Sequence, residues 1–167
     1  MIEVVVDDLG FMAVDAVLRP ATSALDPVAS VSSRLDQLAG AGFAAERRVQ
    51  SALEVGSAVV TGAGQLSAQF VIHAVIRGEH SNATADSVRR ALSSAWQRAA
   101  AWGLERVAGP PVGAGAGQLE LGEAARLMAQ TFAEHRRTAQ SPTLLQIVAD
   151  REDERAIIEA AVRQVGN

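Results

Sequence analysis

The chain of 167 residues contains no cysteine, which excludes disulfide frameworks, zinc fingers and thiolate metal sites. Aromatic residues make up only 4% of the sequence although 49% of it is hydrophobic, so alanine, valine and leucine must fill the core. No apolar run is long enough to span a bilayer. The first residues also lack the basic segment of a signal peptide. Together these absences predict a protein of the cytoplasm.

Positive charge is also in short supply, because 19 acidic residues outnumber 15 basic ones and give a net charge of −4. Binding to nucleic acid or to an anionic membrane depends on a basic face, so neither partner is expected. An anionic ligand would have to be held by local groups. The three histidines show no metal-ligand spacing, and nothing in the sequence indicates a metal site or a cofactor.

Short β-branched runs alternate with amphipathic stretches, and the length suits one domain with one core. This order predicts a single α/β/α sandwich over residues 1–167. Pro20 is expected to end the second strand, and Asp26 to cap a helix whose first residue is Pro27. The predicted strands cover residues 2–6, 14–18, 56–61, 69–76, a short run from 107 and 144–148, and the helices cover 27–39, about 44–53, 85–102, about 121–132 and about 152–164.

Three large side chains are interpreted as packing residues. His73 lies in a strand between apolar neighbours, which is typical of a buried histidine with a satisfied ring nitrogen. Trp96 and Trp102 are six positions apart on one predicted helix, too far round it to form one stacking platform. Core and boundary packing is therefore expected for both.

The most informative stretch is the glycine-rich segment 107–118, which joins a short apolar run to a periodic helix. Glycine permits positive φ and lets a ligand approach backbone N–H groups, and the following helix directs its positive dipole end to the same place. The segment predicts a phosphate site, although such turns can also merely reverse the chain. No lysine follows the last glycine, which excludes an ATPase loop of the Walker type.

Four segments, in order, resemble those of macrodomains, the ADP-ribose-binding fold. They are residues 6–9 (VDDL), 14–18 (VDAVL), 56–74 and 110–117 (PPVGAGAG). The resemblance covers nearly the whole chain. It implies a three-layer sandwich with a mixed, mostly parallel sheet of about six strands, and ADP-ribose or a related adenine nucleotide as the ligand.

The resemblance also implies individual roles. Asp8 would accept a hydrogen bond from the adenine amino group, with Leu9 beside the ring, and the glycine loop would wrap the diphosphate. Without the resemblance, Asp7 and Asp8 are interpreted as residues that cap a turn. The implied ligand contacts are Asp8, Leu9, Ala21, Thr22, Val112, Gly113, Ala114, Gly115, Ala116 and Gly117.

The sequence departs from the family at residues 19–22 (RPAT), which stand in place of Asn-Ala-Ala-Asn, and at 26–30, which replace a glycine loop. The asparagines of the family hold the distal ribose and orient water, whereas Arg19 has only donors and Thr22 is shorter. Arg19 and Thr22 are thus the only catalytic candidates. Arg19 would either pair with the diphosphate or fill the ribose pocket against an acidic residue such as Asp26.

A binding module without efficient hydrolase activity is the expected function. One alternative is a hydrolase of O-acetyl-ADP-ribose or ADP-ribosyl esters that uses Arg19 and Thr22. The other is a non-binding scaffold with a degenerate pocket. Self-association into a homo-oligomer stays open.

Overall fold

The computed structural model describes residues 1–115 and 118–166. Six strands form one sheet, and five α-helices and a short 3-10 helix at Leu9–Phe11 pack on it. The strands are β1 (Ile2–Val6), β2 (Ala16–Thr22), β3 (Ala58–Gly62), β4 (Phe70–Arg77), β5 (Arg106–Gly109) and β6 (Leu144–Ala149). The helices are α1 (Ser30–Ala39), α2 (Ala41–Glu46), α3 (Ala85–Ala101), α4 (Leu121–Arg136) and α5 (Glu152–Val165).

The strand order is β1-β6-β5-β2-β4-β3, and each neighbouring pair is parallel except the antiparallel pair of β3 and β4. Helices α3, α4 and α5 cover one face of the sheet, while α1, α2 and the 3-10 helix cover the other. The predicted sandwich with a mixed, mostly parallel sheet is confirmed. Because five strands run in the same direction, their carboxyl ends meet at one edge, where open α/β sheets bind ligands.

Strand β2 does not end at Pro20 as predicted but continues to Thr22. Proline has no N–H to donate to a ladder, yet the β2–β5 ladder covers only Ala16 and Val17. Pro20 therefore lies beyond the part of β2 that pairs with β5. On that edge of β2, the Pro20 carbonyl accepts a hydrogen bond from the Ser32 hydroxyl at 2.9 Å. A proline is tolerated there because no strand pairs with that side.

Helix α1 begins at Ser30, three residues later than predicted, with Ala29 as its N-cap. Pro27 instead forms an antiparallel bridge with Ala21, and the Thr22 N–H donates to the Asp26 carbonyl at 3.0 Å. These contacts hold residues 26–27 extended. The predicted end of the helix at Gly40 is confirmed.

The predicted end of the second helix is also wrong, because α2 ends at Glu46 and not near residue 53. The Leu53 N–H donates to the Ser23 carbonyl at 2.8 Å, so the backbone leaves the helix to reach β2. Val49 and Leu53 pack with Leu25 in a small apolar cluster. Their apolar spacing reflects this cluster and not a continuous helical face.

The two tryptophans of the α3 region differ sharply in burial. Trp96 is fully buried, meets the Phe132 ring edge-on at 5.3 Å and donates from Nε1 to Thr131 Oγ1 at 2.9 Å. Trp102 is 53% exposed and packs edge-on against Phe70. No helix in the described residues is both long and apolar enough to cross a membrane.

We expect Trp96→Ala to lower the free energy of unfolding by about 3–5 kcal/mol, because it leaves a large cavity and removes the partner of Thr131. The matched control is Trp102→Ala, which should cost about 1 kcal/mol or less because the ring is mostly solvated. Urea denaturation followed by circular dichroism measures both. Equal losses in the two variants would contradict this arrangement of the core.

Candidate functional site

A cleft of about 910 Å³ opens at the edge where the parallel strands end. Its lining follows the order of the strands in the sheet. Asp8 after β1 and Asp150 after β6 lie at one end, the loop at Gly113 after β5 lies in the middle, and β2 and β4 contribute Pro20 and Ile76. The fold thus brings Asp8 and the glycine loop into one cleft, although they are far apart in sequence.

The glycine loop lines this cleft through Gly113, Ala114 and Gly115. Gly113 and Gly115 have φ values of 96° and 92°, which favour glycine. The Leu119 N–H donates to the Gly113 carbonyl at 2.9 Å and closes the loop. Within residues 1–115 and 118–166, the amides of Gly113 and Gly115 have no protein acceptor. A Cβ atom built on Gly115 would meet no atom within 4 Å, so that position faces open space.

The remaining predicted loop contacts divide into three cases. Ala114 lines the cleft. Val112 does not, because it is fully buried beneath the loop and its N–H points to Met128 Sδ at 3.3 Å. Ala116 and Gly117 lie outside the described residues.

Asp8 both caps a turn and lines the cleft. Its Oδ1 accepts from the Gly10 N–H at 3.2 Å, which starts the 3-10 helix, and its Oδ2 accepts from Arg34 Nη2. The Arg34 guanidinium holds the pKa of the Asp8 carboxyl below its ordinary value. Leu9, which is 5% exposed, also lines the cleft. The carboxylate is therefore ionised and oriented at both oxygens.

Helix α1 supplies a second set of backbone donors that sequence reasoning missed. Residues 29–31 line the cleft, and N–H groups in the first turn of a helix have no intrahelical acceptor. In the described chain Ala29 offers no side-chain cap to them. Asp26, predicted to cap this helix, is instead 53% exposed at its side chain and lies 3.4 Å from Arg47.

Arg34 is the other contact missed from the sequence. It lies one helical turn after Ser30, so both side chains project from the same face of α1. That spacing is visible in the sequence. The contact between Arg34 and Asp8 cannot be predicted from the sequence, because it depends on α1 crossing the sheet towards the end of β1.

Arg19 does pair with an acidic residue, but the partner is Asp36 and not Asp26, and Arg19 does not line the cleft. It is fully buried and donates to both carboxylate oxygens of Asp36, from Nε at 2.7 Å and from Nη2 at 2.8 Å. Its Nη1 also donates to the Leu25 carbonyl at 2.8 Å. The ion pair joins β2 to α1 behind the cleft, so Arg19 neither plugs the cleft nor reaches a ligand in it.

Thr22 and Ala21 are also missing from the described lining of the cleft. The Thr22 hydroxyl donates to Glu79 Oε1 at 2.6 Å and accepts from the Ala24 and Asp26 amides. Ala21 is fully buried beside Leu25. The β2/β4 end of the cleft is left to apolar side chains, which are Pro20, Val28, Ile76, Leu119 and Leu121.

His73 is fully buried next to Arg19, as predicted for a packing residue. Arg19 Nη1 lies 3.3 Å from Nδ1 and Thr61 Oγ1 lies 2.7 Å from Nε2. Since Arg19 can only donate, Nδ1 is the acceptor and Nε2 carries the proton. Burial, and then the positive charges of Arg19 and Arg47, lower the pKa of His73 to about 3.

Comparison with known proteins identifies the family and the fold of the chain. The Macro domain family model matches residues 19–128. The chain belongs to this family. An uncharacterized protein of Aeropyrum pernix is 33% identical over 120 residues, which cover 71% of this chain and 64% of that protein. The match therefore spans less than two thirds of that relative.

Solved macrodomains share the fold at low sequence identity. A Trypanosoma brucei macrodomain in complex with ADP-ribose superposes with a TM-score of 0.85 at 20% identity, covering 96% of this chain and 68% of that one. A mutant Oceanobacillus iheyensis macrodomain with ADP-ribose gives 0.84 at 20% identity, covering 98% and 92%. At this identity the likeness shows the fold alone.

The depressed pKa of His73 predicts an acid-dependent loss of stability. His73 stays neutral in the folded chain, whereas an unfolded histidine takes up a proton below its ordinary pKa of about 6.5. Its contribution is therefore complete above about pH 6.5 and falls by up to about 1.4 kcal/mol per pH unit towards pH 3. The variant His73→Gln should lack this component, so the difference in unfolding free energy between it and the parent should shrink as the pH falls. A constant difference between pH 7 and pH 4, measured by urea denaturation, would contradict the assignment.

Proposed function

We propose that this macrodomain binds ADP-ribose or a related adenine nucleotide and lacks efficient hydrolase activity. The observation that carries the proposal is one cleft with the Asp8 carboxylate at one end and, in its middle, the amides of Gly113 and Gly115, which have no acceptor among the described residues. A diphosphate-linked adenosine presents an amino group and an anion in the same linear order.

The base end suits adenine because an ionised carboxylate only accepts hydrogen bonds. Asp8 can therefore receive the exocyclic amino group, while a carbonyl at that position would be repelled. Leu9 offers the apolar surface beside it.

The middle of the cleft suits a diphosphate. The glycine loop and the first turn of α1 line the same cleft, and the N–H groups and the dipole at the start of the helix favour an anion. Neutral backbone dipoles can hold phosphate in a chain with a net charge of −4 because the attraction is local. The solved relatives that carry ADP-ribose or ADP support this class of ligand.

The far end of the cleft is the reason for proposing weak or absent hydrolysis. Among the described lining residues, the ionisable side chains all come from the β1/β6 end or from α1, namely Asp7, Asp8, Arg34, Asp150 and Glu154. General acid–base catalysis needs such a group within hydrogen-bond reach of the reacting atoms. Around Pro20 and Ile76 the cleft is apolar, and Arg19 and Thr22 are committed to Asp36 and Glu79.

Binding is tested by a thermal shift with ADP-ribose. Ligand at a hundredfold excess over its dissociation constant should add about 2.7 kcal/mol and raise the Tm by several degrees. Gly115→Glu should abolish the shift, because it places bulk and a negative charge in the loop. The matched control is Gly103→Glu. Gly103 also has a positive φ, of 67°, and open space at its Cβ, but it lies at the end of α3.

Both glycine variants should melt at a lower temperature than the parent chain, because glutamate is strained at a positive φ. The Gly103→Glu control should nevertheless still respond to ligand. No shift of the parent chain with millimolar ADP-ribose, ADP or AMP would reject the proposed function. An equal loss of response in both glycine variants would reject the role of the loop.

Hydrolysis is tested separately with O-acetyl-ADP-ribose. We expect product release by the parent chain at the rate seen in buffer, because no ionisable side chain of the described residues lines the cleft around Pro20 and Ile76. Turnover above buffer would establish the hydrolase alternative. Its retention in Thr22→Val would show that the activity does not use the Thr22 hydroxyl.

A further inference from the structure

We propose that Arg34 is a ligand-positioning residue of the cleft whose guanidinium, held by Asp8, forms the surface on which the purine base stacks. The inference rests on the proposed function and extends it to a residue outside the sequence motifs. Two observations motivate it. Among the described residues lining the cleft, Arg34 is the one cationic side chain, and none is aromatic.

The position of Arg34 is fixed at both ends. Its backbone belongs to α1, and its Nη2 bonds to Asp8 Oδ2 across the cleft. The other Asp8 oxygen accepts from the Gly10 amide, so the carboxylate cannot turn away without losing that bond. The Arg34 side chain remains 55% exposed. A planar group is thus held at the base end with more than half of its side-chain surface still accessible.

A base that reaches Asp8 with its amino group must lie close to this guanidinium. Leu9, buried in the floor of the cleft, offers an aliphatic surface at the same end. Guanidinium planes stack on bases, and Arg is suited to this role because its charge is delocalised over a rigid plane. The existing bond to Asp8 lowers the cost of ordering the side chain when a ligand arrives.

Arg34 could instead act only as a positive charge that offsets the carboxylates of the cleft. Asp7, Asp8, Asp150 and Glu154 all line the cleft, and an arginine among four carboxylates would reduce their repulsion of an anionic ligand. The two roles respond differently to substitution. Lysine keeps the charge and loses the plane, whereas phenylalanine keeps a plane and loses the charge.

The experiment compares Arg34→Ala, Arg34→Lys and Arg34→Phe with the parent chain by calorimetric titration of AMP and ADP-ribose at low and high salt. We expect Arg34→Ala to weaken both ligands by about tenfold at either salt concentration. Arg34→Phe should recover most of that loss and Arg34→Lys little of it. The matched control is Arg89→Ala, because Arg89 is also 55% exposed and pairs with an aspartate, Asp86, on α3 away from the cleft.

Three results would overturn the role of Arg34 while leaving the proposed function intact. They are unchanged or tighter binding in Arg34→Ala, recovery by lysine but not phenylalanine, and a loss that disappears at high salt. Failure of the parent chain to bind either nucleotide would instead reject the proposed function, and the inference with it. Thermal melts of each variant show whether an affinity change reflects unfolding.

Discussion

The buried ion pair between Arg19 and Asp36 is the contact on which the cleft depends. It fastens α1 to β2 through two short hydrogen bonds, and Phe43 lies against both His73 and the Arg19 guanidinium. Ion pairs in a core gain little over apolar packing, but they are costly to break because the remaining charge stays desolvated. The pair therefore specifies where α1 lies on the sheet. The position of α1 in turn decides that its first turn faces Gly113 and that Arg34 reaches Asp8.

The proposed binding of an anion by this acidic chain relies on backbone donors. The sequence contains no lysine at all, and in the described cleft the acidic side chains lie at the end where a base would bind. Amides of the loop and of α1 supply the positive ends of dipoles in the middle of the cleft. Such donors attract an anion only at close range, which suits recognition of one small ligand and not of a polyanion.

Local periodicity was enough to predict most of the sheet and the three longest helices. The α3 pattern places Val88, Leu92 and Trp96 on one buried face, and the structure confirms it. The errors lie where long-range contacts override local signals. Pro20 is accepted inside β2 because β5 has already ended, and residues 47–53 leave the helix to pack near Leu25.

The candidate site was predictable to a similar extent. The meeting of Asp8 with the glycine loop was expected from the family resemblance, and it follows physically from parallel strands ending at one edge. The partner of Arg19 was not predictable, because Asp36 is one of several carboxylates in reach of that segment of sequence. Arg34 was missed for a related reason, since its contact depends on how far α1 extends across the sheet.

The Arg19–Asp36 pair also constrains how this sequence can evolve. Replacing Asp36 alone would leave the buried Arg19 guanidinium without its carboxylate partner, whereas replacing Arg19 alone would leave Asp36 with Arg47, 3.6 Å away, as a cationic neighbour. The two positions are therefore expected to change together. An asparagine at position 19 is accordingly expected to be tolerated best together with a second substitution in α1. The identity of residue 19 is therefore coupled by epistasis to that of residue 36, whatever selection acts on the ligand.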